Sequence, residues 1–146
     1  MVAALGISFA HPAGASAATP HGRAARAMYI NETAKVHLVH SNGESREVMG
    51  PATGTLGGSL QFYVTVRVTS FTFSFTFHVN GGGTMTGHGS GTLHIGHGQG
   101  ASFAGTGVVN RGTGRWRHVS GSGHFYGAEN RFSHNGTVQI LATLHY

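Results

Sequence analysis

The sequence predicts an all-β fold in which an eight-stranded antiparallel sheet closes into a barrel. Three observations carry that prediction. Segments alternate apolar and polar residues with a period of two, most legibly Phe71-Thr72-Phe73-Ser74-Phe75-Thr76-Phe77-His78-Val79, which is the mark of a strand with one buried face. No window of helical length carries an apolar stripe at i, i+3 and i+4, and glycine, 25 of the 146 residues, interrupts most candidates. The alternating segments are joined by short turns such as Ser41-Asn42-Gly43, Asn80-Gly81-Gly82-Gly83 and Asn135-Gly136, which suit antiparallel neighbours.

Taken in order, the chain opens with a short apolar run, Met1 to Phe9, followed by Ala13-Gly14-Ala15-Ser16-Ala17-Ala18. A small-residue site after an apolar run reads as a signal-peptide-like segment over residues 1–18 and predicts a secreted, extracellular protein; the alternative is a disordered alanine-rich tail. Residues 19–29 hold Pro20, Gly22, several alanines and two arginines with no period, and are expected to form a flexible leader. The barrel domain is expected over 30–146. A first strand falls around 35–40. Phe62, Val64, Val66 and Val68 alternate with Tyr63, Thr65, Arg67 and Thr69, and the Phe71 to Val79 strand follows. Further strands are expected in 83–95, 101–109 and 115–126. The last strand sets Val138, Ile140, Ala142, Leu144 and Tyr146 on one face. Gly87, Gly89, Gly91, Gly105 and Gly107 lie inside strands, where glycine marks the bends of a small curled sheet. A barrel is preferred to a sandwich because eight strands close around a filled or ligand-sized interior.

Composition narrows the chemistry. Charged residues make up 9%, against about 25% in an average domain. There is no cysteine and no aspartate, and the only carboxylate side chains are Glu32, Glu44, Glu47 and Glu129. Disulfides, thiolate metal sites and cysteine nucleophiles are therefore excluded. No G-x-S-x-G elbow is present, and no phosphate-binding loop is possible at its usual lysine, because Lys35 is the single lysine. The net charge of +5 favours anionic partners without choosing among them. The arginines form no dense cluster or known nucleic-acid module, so no nucleic-acid partner is expected. No run approaches the roughly 18 consecutive apolar residues of a membrane-spanning helix.

Three groups of residues are candidates for a site. His88, His94 and His97, with His118 and His124, are spaced so that three imidazoles could converge on zinc. Polar residues on exposed strand faces account for them more simply, and no metal or other cofactor is expected. Glu129 and Glu32 are the candidate catalytic groups: a glutamate beside a phenylalanine-lined cavity can shuttle a proton. The alternative places each at a surface turn or edge beside an arginine. The ladder Phe71, Phe73, Phe75 and Phe77 lines a ligand cavity, fills a core, or faces outward as the centre of a trimer contact.

The C-terminal half carries a further pattern. Ser102-Phe103-Ala104-Gly105-Thr106-Gly107 leads to Gly112-Thr113-Gly114-Arg115-Trp116-Arg117-His118-Val119-Ser120-Gly121, and the chain closes on Leu144-His145-Tyr146. This resembles the allene oxide cyclase and dirigent barrel superfamily over roughly residues 85–146. Trp116 stands at the aromatic position of its G-T-G-x-aromatic turn, Val119 at the small apolar position and Gly121 at the glycine. Gly112 and Gly114 are expected to take positive φ in the hairpin, and Trp116 to plug the barrel end. The resemblance implies an eight-stranded barrel, often trimeric, whose interior holds an apolar small molecule and steers its cyclisation or coupling without a cofactor. The cavity aspartates of the dirigent relatives are absent, and so are the cysteines of the cyclase-type pocket, so no activity carries over residue by residue.

The expected function is a secreted, cofactor-free barrel that binds a hydrophobic small molecule and steers its cyclisation or isomerisation. Phe71, Phe73, Phe75, Phe77, Trp116, Phe125 and Tyr126 are the expected ligand-binding residues, in a homo-oligomer such as a trimer. The alternative is a non-catalytic exported module that presents basic loops to an anionic surface. The two part on whether the glutamates point inward, and on whether the cavity exceeds about 100 Å³, well below the usual ligand-pocket range.

Overall fold

The computed structural model describes residues 24–146. Eight strands follow one another around a closed barrel: β1 (Ala27–Asn42), β2 (Ser45–Gly54), β3 (Gly58–Arg67), β4 (Ser70–Val79), β5 (Thr84–Ile95), β6 (Gly100–Gly112), β7 (Ser120–Asn130) and β8 (Asn135–His145). Every neighbouring pair is antiparallel. The closing pair β1–β8 runs in unbroken register from Ala27 opposite His145 to His37 opposite Asn135. Closure leaves no free sheet edge, so each strand finds its backbone partners inside the sheet. The signal-peptide-like segment and residues 19–23 of the leader lie outside the described residues. β1 starts three residues ahead of the expected domain boundary, with Tyr29 already opposite Thr143.

The structure departs from the sequence reading at three places. β2 is not evident in the sequence, because Gly50, Pro51 and Ala52 break any apolar alternation. The packing asks for that composition: a Cβ on Gly50 would lie 1.8 Å from the Lys35 carbonyl oxygen. The expected strand at 115–126 is instead a 3₁₀ turn (Gly114–Trp116) followed by β7 from Ser120. Within that turn only Gly114 takes positive φ, at 61°. Gly112 is required for space, since a Cβ there would come 2.2 Å from the Trp116 carbonyl oxygen.

The two poles of the barrel differ. The turns β2–β3 and β4–β5 and the 3₁₀ connection β6–β7 gather at one pole, where Trp116, Met85, Leu60, Phe77 and Leu144 are buried. Trp116 leans on Tyr146 with ring centroids 5.3 Å apart, and the Arg115 guanidinium lies 4.8 Å from the indole centre. That pole is plugged. The hairpin turns β1–β2, β3–β4, β5–β6 and β7–β8 surround the opposite pole, which is open. No helix among the described residues is long and apolar enough to cross a membrane.

Candidate functional site

The hollow inside the barrel follows from where the chain omits side chains. On β5, β6 and β7 glycine takes many inward positions, Gly87, Gly89, Gly91, Gly105, Gly107, Gly123 and Gly127, and on β4 phenylalanine takes four. The register sets them side by side: Phe71 opposite Gly91, Phe73 opposite Gly89, Phe75 opposite Gly87. One tier continues from Gly89 to Gly107 and from Gly107 to Gly123. Each ring leans across the glycine beside it, so aromatic bulk from one strand covers bare backbone on the next.

The rings meet edge to face. Phe73 and Phe125 have centroids 5.0 Å apart at 88°, Phe62 and Phe73 5.9 Å apart at 71°, and Phe71 and Phe103 6.3 Å apart at 87°. Such pairs hold rings in defined orientations beyond simple area burial. They do not fill the barrel. A cavity of about 160 Å³ is left among them. A dry engineered cavity of roughly 150 Å³ admits benzene, so this space takes a molecule of about that size or one end of a longer one. Phe71, Phe73, Phe75, Phe77 and Phe125 all line it. The ladder therefore faces inward and forms no outward trimer patch.

Two of the expected ligand-binding residues lie elsewhere. Trp116 is buried in the end plug and is absent from the cavity wall. Tyr126 is 54% exposed, because it follows the inward Phe125 on β7 and period two turns it to the outer face. The histidines do not converge. His88, His94 and His124 sit at outward, exposed strand positions and His97 in the β5–β6 turn, and no group of three or more His, Asp or Glu among the described residues is arranged to hold a metal ion.

Both candidate glutamates point inward and line the cavity. Glu32, on β1, is 1% exposed and accepts hydrogen bonds from the Leu56 N–H at 2.5 Å and the Gly57 N–H at 3.2 Å. Its carboxylate is thereby committed to the β2–β3 turn. Glu129 reaches the open mouth, where its Oε1 lies 3.8 Å from Arg46 Nη1, with the two side chains 23% and 34% exposed. His134, at positive φ in the β7–β8 turn, also borders the cavity. The arrangement is an apolar chamber with one buried structural carboxylate and a polar gate at its mouth. Arg46 escapes a reading of the sequence because its strand does, and His134 because a turn histidine carries no periodic signal.

The chain matches no protein-family model, no curated protein and no solved structure.

Proposed function

We propose that this chain binds a small hydrophobic molecule inside its barrel without a cofactor. The observation that carries the reading is the phenylalanine-walled cavity of about 160 Å³ beside the Arg46–Glu129 pair. Removing an apolar body from water against aromatic walls is favourable at about 25 cal/mol per Å², and a wall fixed by edge-to-face pairs does not have to order on binding. The resemblance of residues 85–146 to the allene oxide cyclase and dirigent barrels supports a finer version, in which the chamber holds one conformer of its ligand and so favours its cyclisation or isomerisation. In that version Glu129 is the proton carrier and Arg46 steadies the developing charge. The apolar run at Met1 to Phe9 supports export.

Fluorescence of a neutral naphthylamine dye tests the reading. The dye brightens with the wild-type protein, and Val64→Trp, which fills the chamber from β3, abolishes the signal. Equal brightening by the filled variant, or none by the wild type, overturns it. A second reading is supported by the charge at the plugged pole. Arg26, Arg111, Arg115 and Arg117 gather there, whereas Glu44, Glu47 and Glu129 lie toward the other end. An anionic surface docked on that pole is the non-catalytic alternative.

A further inference from the structure

Each of the four turns or strand ends at the open pole presents one large apolar side chain to solvent. Val39, at a β-bulge between Leu38 and His40, is 48% exposed; Val68, Ile95 and Phe132 are 88%, 52% and 74% exposed. Each has a basic or imidazole side chain within two residues: His40, Arg67, His97 and Arg131. At the plugged pole the exposed large apolar side chains are two tyrosines, Tyr29 near the start of β1 and Tyr146, which rests on Trp116; both carry a hydroxyl, and neither stands on a turn.

Two of the four are held outward by specific backbone geometry. Val68 has φ of +24°, a region that β-branched residues almost never enter and where glycine or asparagine is the ordinary choice. An apolar side chain in a strained, solvent-facing turn is disfavoured by both backbone and water, which points to a contact outside the chain. Phe132 stands on a turn in which the Asn130 side-chain oxygen accepts from the Phe132 and Ser133 N–H groups at 2.9 Å and 3.1 Å. Those bonds set the backbone of residue 132 at the tip of the turn, where its ring is exposed.

We infer that the open pole docks onto the surface of a phospholipid bilayer, setting the cavity mouth against the lipid. Apolar tips flanked by arginine suit the interface, where side chains enter the acyl boundary and guanidinium groups meet phosphates. The charges of this pole are balanced, Arg46, Arg67 and Arg131 against Glu44, Glu47 and Glu129, so zwitterionic phosphatidylcholine is the surface it fits. The outer wall of β4 and β5, with Thr72, Ser74, His88 and Ser90, is polar. The exposed Tyr29, Met49, Tyr63, Val108 and Tyr126 stand one to a strand on the remaining wall, so they form no continuous apolar band for lipid tails. Contact is confined to the tips. The inference extends the ligand-binding reading by naming where the ligand comes from, but it rests on separate residues.

Flotation of the whole chain with phosphatidylcholine vesicles tests it. The wild type floats at low and at high salt. The double variant Val68→Asn/Phe132→Ser lowers the vesicle partition coefficient at least about ten-fold. Asparagine tolerates the left-handed backbone that valine must adopt there, so folding is kept. In the absence of vesicles this variant brightens the naphthylamine dye as the wild type does, which separates docking from cavity binding. A wild type that stays unfloated, or a double variant that floats equally, overturns the inference. So does flotation that requires anionic lipid, vanishes at high salt and is lost in Arg115→Gln/Arg117→Gln, since that pattern assigns the contact to the plugged pole.

Discussion

Phe73 on β4 lies across Gly89 on β5, its partner in the sheet: a Cβ built on Gly89 would come within 2.5 Å of the Phe73 ring and 2.3 Å of the Thr106 carbonyl oxygen. The pair is one relationship seen from two strands. Glycine at 89 gives the ring its place, and the ring shields the backbone that glycine leaves bare.

Gly89→Ala therefore forces the ring and the β6 backbone apart. Overpacking of this kind costs about 1–3 kcal/mol, and Phe73→Ala costs about 3–5 kcal/mol. In urea unfolding the double variant is more stable than the sum of the two losses, because the ring half of the clash is gone. Full additivity would show that ring and glycine do not share one space.

Glu32→Gln keeps the shape of the side chain but removes the charge that two turn amides share. Hydrogen bonds to a charged group are worth about 1.5–3 kcal/mol, so the variant unfolds at lower urea and the Leu56 and Gly57 amides exchange faster. Binding of the neutral dye stays within about two-fold, since the cost falls on the turn and leaves the phenylalanine cage intact.

Glu129→Gln acts on the mouth and not on the fold. A partly exposed ion pair contributes about 0–1 kcal/mol, so stability changes little. Removing the carboxylate frees Arg46, and affinity for an anionic naphthalene sulfonate rises about three- to ten-fold relative to the neutral dye. Arg46→Gln reverses that preference. Equal effects on both dyes would place the pair away from the bound molecule.

Trp116→Phe removes a buried indole N–H that has no hydrogen-bond partner among the described residues. An unpartnered buried donor costs about 1–3 kcal/mol, which offsets the smaller volume of the ring, so the variant stays within about 1 kcal/mol of wild type. Trp116→Ala loses about 3–5 kcal/mol and opens the plugged pole, read as dye binding that no longer depends on the open mouth.

Much of the barrel was legible because period two is a local property of the chain. The Phe71 to Val79 run sets its apolar side chains on one face, and so does Val138 to Leu144. β2 escaped because close approach of β1 demands Gly50 and Ala52 where large apolar residues would have announced a strand. Glu129 and Glu32 were legible as the scarce carboxylates of a chain without aspartate. Their separate tasks were not, since the partners, Arg46 for one and the Leu56–Gly57 amides for the other, arrive from distant strands.

The amino-acid order alone determined that the chain is all-β, which side chains share a face, and which chemistries are impossible. Those follow from alternation, turn residues and composition, all read within a few positions. Tertiary structure decided that the phenylalanine ladder turns inward and that a hollow opens at the pole opposite Trp116. These depend on register between strands, and register is fixed only when the closing β1–β8 pair forces every side chain to one side of the wall.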